Sequence, residues 1–395
     1  MNGENTIRPQ LQRLMARCFG IGGVSLVLSA LVAFLLHDAA VAPPLQFHRS
    51  YLLAYIFWLS FPVGCESILM VHNLTGGWWG YPIRRLLEAG TRTFPLMVIL
   101  FLPVWLGMSR VYAWTHGNDK AWYLNAGFFT VRAVIYFVIW IGLAYFLNKW
   151  SAQQDQAPDE RLAERLSVRL EAISGPGLVL WGLAVTYSSI DWVMSLEAHW
   201  FSTIYGMLFM MVGTLVAMAF VLFVLRMVSD QEPLKDAVTP AQFNDLGNLM
   251  LAFLMLWAYL SFDQFLIIWA GNMKDEIPWY TSRAFGGWEA IAIALIVLHF
   301  ALPFVLLLQR PMKRRLRALS ALAAMLLVMS LVDVYWLVVP AWSKDAPTLH
   351  LTDILAVIGI GGLWLGAFFR QLAKRPLLAL HDPRFVGALE HEHGD

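Results

Sequence analysis

Ten stretches of about 20 mostly apolar residues recur along the chain, each long enough to cross a hydrocarbon core about 30 Å thick. They lie near 18–37, 51–73, 93–111, 122–148, 175–196, 200–227, 243–270, 285–308, 316–340 and 352–372. That pattern leaves little room for a soluble fold. Of the 395 residues 59% are hydrophobic and only 14% charged, and the mean hydropathy is +0.60, outside the range of soluble domains. The expected fold is an all-α integral membrane protein with about ten transmembrane helices.

The first span follows Arg8, Arg13 and Arg17 and precedes Ala40-Val41-Ala42, an arrangement close to a secretory signal. Its apolar run is long for a signal, and Pro43 disfavours cleavage, so it reads as a retained span. Lys and Arg alternate in density from loop to loop: 21 fall in the N-terminal segment, the loops after spans 2, 4, 6 and 8, and the C-terminal segment. The opposite loops hold six, namely Arg49, Arg110, Lys120, Lys274, Arg283 and Lys344. The asymmetry predicts a multi-pass protein with both termini cytoplasmic.

The longest polar interruption divides spans 1–4 (18–148) from spans 5–10 (175–372). Within this cytoplasmic segment, 149–174, Leu162, Leu166 and Leu170 repeat every four residues, as on an amphipathic helix at a membrane surface. Residues 1–17 and 373–395 are the cytoplasmic ends. The tail carries His381, His391 and His393, which read as solvated rather than metal-bound. Cys18 and Cys65 form no CxxC or CxxCH motif, so the chain supplies no thiolate ligand set or covalent haem attachment, and no metal site is expected. A haem b would need paired axial histidines at one depth, for which His72 and His299 are the only deep candidates.

An ionisable residue within a span costs about 2.5–3.5 kcal/mol, which makes each a functional candidate until a partner explains it. Asp191, Asp263, Glu289 and Asp333 all fall in the outer half of their spans, with Arg132 somewhat deeper. Four acids and one base cannot all stay charged there, so raised pKa values and proton exchange are expected. Glu66 and His72 fall in the inner half, and His299 near the middle. Two proton half-pathways follow, one outer and one inner. Glu197 and His199, in the turn after span 5, would join Asp191 at the outer mouth. Each acid also has a structural alternative, as helix-to-helix glue satisfied by Ser, Tyr and Trp donors.

Three stretches carry a family resemblance: HNLTGGWWGYPIRRLLEAGTRTFPLMVILFLPVWLG (72–107), SSIDWVMSLEAHWFSTIYG (188–206) and FNDLGNLMLAFLMLWAYLSFDQFLIIWAGNMKDEIPWY (243–280). Together they resemble the membrane subunits of bacterial alternative complex III, within the NrfD-like polysulfide-reductase family. The resemblance implies two four-helix bundles plus two peripheral helices, in a complex that passes electrons from quinol to cytochrome c or another acceptor. It implies a homologous NrfD-like membrane protein as neighbour, iron–sulfur clusters and c-type haems in periplasmic subunits, and a terminal oxidase as a further candidate partner. Asp191 lies in a stretch similar to the one that binds the quinol head group in that homologous neighbour, although the preceding span carries no histidine to accompany it. Asp275, Glu276, Trp279 and Tyr280 would then face adjoining subunits.

Three functions compete. The first is a non-redox subunit that supports quinol oxidation and carries protons through buried carboxylates. The second is a redox subunit binding quinone near Asp191, which would act as a general base toward the quinol hydroxyl. The third is a proton-coupled secondary transporter, whose nearest signature is the Gly359, Gly361, Gly362 cluster.

Overall fold

The computed structural model describes residues 8–35, 43–117, 122–231, 234–379 and 382. The chain is an all-α multi-pass membrane protein. Nine described helices are long and apolar enough to cross a membrane, and a tenth crossing is possible if a pair bent by 42° is one span. The helices are α1 (Arg8–Leu35), α2 (Pro43–Thr75), α3 (Tyr81–Thr91), α4 (Phe94–Leu106), α5 (Ala126–Gln154), α6 (Glu160–Trp192), α7 (Tyr205–Val228), α8 (Pro240–Gly271), α9 (Trp288–Leu308), α10 (Leu316–Val338) and α11 (Leu351–Leu372).

The bent pair is α3 and α4, broken at Arg92 and Thr93. Helix α4 has only 13 residues, about 20 Å, and needs α3 to complete a crossing. Helix α3 carries Arg84, Arg85 and Glu88, all buried within the protein.

Helices α2, α4, α5 and α6 pack around one another, and α7 to α10 form a second group. Helix α2 joins the two by also packing on α7, and α1 lies outside against α11, which rests on α2. The α2/α7 crossing is close because Gly64 meets the backbone of Gly213, where a Cβ would fall 1.9 Å from a carbonyl oxygen. In lipid, helices associate through such small-residue contacts. The outer faces remain apolar: Val24, Val27 and Leu31 on α1, and Val131, Val134 and Val138 on α5, are exposed.

Polar side chains fix several helix ends. Asn125 caps α5, Asp159 caps α6, and Thr239 with Gln242 forms a capping box on α8. Helix α8 stops at Asn272, which takes the left-handed conformation (φ 47°), a shape asparagine tolerates better than most residues.

The polar segment 149–174 is helical over most of its length. Helix α5 continues to Gln154, and α6 starts at Glu160 and runs through Pro176 into span 5 without a break. Leu166 and Leu170 are buried while Leu162 is exposed, so the expected amphipathic helix is the first half of a long one. The N-terminal residues, the segment 36–42 with its Ala40-Val41-Ala42, and the tail histidines His381, His391 and His393 lie outside the described residues, as do the termini on which orientation depends. The two ends of the bundle are therefore called the basic end, which holds α3 and the end of α11, and the opposite end.

Candidate proton pathway

Helices α5 and α6 meet at the opposite end with Arg132 near the start of one and Asp191 near the finish of the other. Arg132 grips Asp191 with two donors of one guanidinium edge, Nε to Oδ2 at 2.7 Å and Nη2 to Oδ1 at 2.8 Å. Tyr136 donates to the same carboxylate at 2.6 Å. The guanidinium also lies under the Tyr123 ring, 3.9 Å from its centroid, and bonds to the Tyr123 carbonyl. Asp191 is thus a fully occupied acceptor, and Arg132 is its structural counter-ion. The cavity beside it, lined by Ser188, Ser189 and Trp192, measures about 40 Å³, against roughly 300–1,000 Å³ for ligand pockets.

A second assembly starts at the surface of the same end. Glu197, His199, Lys274, Asp275 and Lys344 line a cavity of about 680 Å³. Beneath it Glu197 pairs with Arg283 at 3.2 Å. Arg283 is 2% exposed and donates to the carbonyls of Trp279, Trp336 and Leu337, with its charge 3.8 Å from the Trp279 ring centroid. Burial pulls its pKa below the usual arginine value, and the Glu197 carboxylate opposes that pull.

Tyr205, fully buried, lies within electrostatic reach of Arg283, Glu197 and Asp333. Asp333, on α10, accepts from Trp257 Nε1 on α8 at 3.0 Å. The Trp257 ring stands 4.3 Å from that of His299, and Ser330 lies 3.3 Å from His299 Nε2. His299 sits in a π-helical turn, Leu295–Ala301, followed by Pro303, which has no N–H for the His299 carbonyl one turn back. Such widened turns are frequent at functional sites.

The inner acid stands apart. Glu66 on α2 is completely buried, and neither carboxyl oxygen has a hydrogen-bond partner among the described residues; the backbone of Ala144 faces it without bonding geometry. His72 packs edge-on against Trp79 and Tyr81, and Asn73 donates to Ser174. His72 and His299 are held in separate helix groups.

The structure redistributes the charges expected to crowd the outer half. Arg283, assigned to a loop by the sequence, is a second buried cation, so Arg132 and Arg283 neutralise Asp191 and Glu197 in turn. Asp263 is only partly buried, between exposed Phe262 and Leu266 on the perimeter of α8. Glu289 is exposed in the first turn of α9 and accepts from the Gly287 amide at 2.8 Å, a capping arrangement. Of the four acids expected there, Asp333 is the one buried without a cation partner among the described residues. Of the residues expected to face partners, Asp275 is exposed and Glu276 and Tyr280 are partly exposed. Trp279 is 2% exposed, stacked on Trp200 at 4.7 Å and covered by Arg283, and so anchors the turn within the chain.

No protein-family model matches the chain, and no curated protein does.

Sequence reasoning missed a third ionic assembly at the basic end. Glu88 accepts from Arg84 at 3.2 Å, Arg85 at 2.7 Å, Arg375 at 3.0 Å and Ser151 at 2.6 Å. Arg84 also pairs with Asp382, and Arg85 with Asp155. The RRLLE spacing offered a local signal, since Arg84 and Glu88 are one turn apart, but α3 reads as an ordinary basic loop until its burial is known.

Proposed function

We propose that the chain is a proton-conducting membrane subunit, without a redox centre of its own, of a quinol-oxidising complex similar to alternative complex III. The observation that carries the proton reading is a succession of polar groups that starts at the partly exposed Glu197 in a wide surface cavity and leads inward through the buried Arg283, Tyr205, Asp333, Trp257, His299 and Ser330, with Glu66, buried without a cation, toward the other end. Buried acids without a cation mark proton relays in membrane proteins, and Asp333 and Glu66 are the two such acids among the described residues of these assemblies. The resemblance in 72–107, 188–206 and 243–280 supports the complex, with a homologous NrfD-like membrane protein and the iron–sulfur and c-type haem subunits as partners. The narrow cavity beside Asp191, and the full occupation of that carboxylate by Arg132 and Tyr136, favour conduction over quinone binding.

The test is quinol oxidation with simultaneous proton release in liposomes, comparing the intact assembly with Asp333→Asn and Glu66→Gln. The reading expects electron transfer to persist while proton translocation falls. If both are unchanged the buried acids are structural and the reading is wrong. If electron transfer itself collapses in an assembled complex, a quinone site in this chain replaces it.

A further inference from the structure

At the basic end a cavity of about 360 Å³ opens between α3, α4, α5 and the end of α11. Three cations line it: Arg92, Lys149 and Arg375. Arg375 is engaged by Glu88, but Arg92 bonds to the carbonyls of Glu88 and Gln371, and Lys149 rests over the Tyr145 ring. Neither Arg92 nor Lys149 forms an ion pair among the described residues. Among the described residues of the joined assembly, the cations Arg84, Arg85, Arg92, Lys149 and Arg375 outnumber the carboxylates of Glu88, Asp155 and Asp382 by two.

A second polar group points to a ligand. Asn148 lines the same cavity and is 6% exposed. Its amide lies 2.8 Å from the Ala144 carbonyl, which can only accept, so the nitrogen is on that side and the oxygen is left without a partner. The site offers cations for an anion and a buried acceptor for a hydroxyl.

The cavity continues into the membrane. Ile141 and Tyr145 are shared with an apolar groove of about 490 Å³ that includes Val134, Val138 and Gly142. These residues and Lys149 follow one face of α5, over roughly 22 Å at the helical rise, longer than one leaflet of a hydrocarbon core about 30 Å thick. Val134, Val138 and Tyr145 are exposed on the outside of the protein.

We infer that this cationic cavity and apolar groove form a binding site for one anionic phospholipid of the phosphatidylglycerol class. Arg92, Lys149 and Arg375 face its phosphodiester, Asn148 Oδ1 accepts from a glycerol hydroxyl, and an acyl chain lies along α5. Basic pockets between transmembrane helices bind lipid head groups in this way.

The experiment is native mass spectrometry of the delipidated full chain titrated with dioleoyl phosphatidylglycerol or dioleoyl phosphatidylcholine, with inorganic phosphate as competitor. The expected result is preference for the glycerol lipid, a loss of about fivefold in its affinity for each cation removed in Lys149→Gln and Arg92→Gln, and no change in an Arg226→Gln control. A Cβ on Gly142 would meet nothing within 4 Å, so Gly142→Trp blocks the groove without disturbing the core and should weaken binding with the cations intact. Should Arg92→Gln fail to fold, the exposed Lys149→Gln carries the comparison. Equal binding of both lipids, indifference to Lys149→Gln, or displacement by phosphate with no effect of Gly142→Trp would each overturn the proposal.

Discussion

A charge inside a membrane helix is explained by the side chain it meets, and here the meetings differ from residue to residue. Arg132 and Asp191 satisfy each other through a two-pronged ion pair. Arg132→Gln should destabilise the protein by about 3 kcal/mol, the lower end for breaking a buried pair, because the arginine lies at a helix end under Tyr123. Thermal unfolding in detergent would measure the loss, and Arg132→Leu combined with Asp191→Leu should recover most of it. That both residues fall in the outer half of their spans was legible in the sequence, because helical rise converts position into height. Their pairing was not, because it depends on how α5 and α6 are rotated about their axes. The same limit separates Asp333 from Asp263, which share a depth but not a setting. In a water-soluble helix the polar face would betray the outside; in lipid both faces are apolar, so nothing in the period tells which acid turns inward.

Between elements, contact distance is set by glycine. A side chain at Gly64 would collide with the Gly213 carbonyl, so Gly64→Val should force α2 from α7 and cost at least about 1–3 kcal/mol, read as a fall in unfolding temperature or in the yield of folded protein. Helix α1 meets α11 by the same device, where a Cβ at Gly22 would fall 2.6 Å from the Leu363 nitrogen. Gly22→Leu should release α1 while leaving the other helices intact, because only 22% of its apolar window is buried; cysteine cross-linking between α1 and α11 would report the separation. The approximate number of crossings followed from the apolar runs, and so did the amphipathic start of α6. What the runs did not announce were the break at Arg92 and Thr93, and the continuity of α6 through Pro176. A proline one turn from freed carbonyls is tolerated in a helix that neighbours can re-satisfy, and no local composition distinguishes that case from a loop.

For the molecule as a whole, the basic end is held by one carboxylate that ties its own helix to two other stretches of chain. Glu88 binds Arg84 and Arg85 in α3, Ser151 in α5 and Arg375 after α11, and Arg84 extends the network to Asp382. Glu88→Gln would leave three guanidinium groups converging on a neutral amide and should loosen the segment after Leu372, seen as faster tryptic cleavage after Lys374. Helix α2 holds the two helix groups together from the centre, and 89% of its apolar window is buried inside the protein. It carries Glu66, Ser67, His72 and Asn73 at sites closed to lipid, yet α7 and α11, which enclose it, begin only at Tyr205 and Leu351. A helix made before either of them is therefore among the last to find its permanent neighbours. During synthesis it must wait beside the insertion machinery with its polar groups sheltered, and a nascent chain halted before Tyr205 should remain cross-linkable to that machinery.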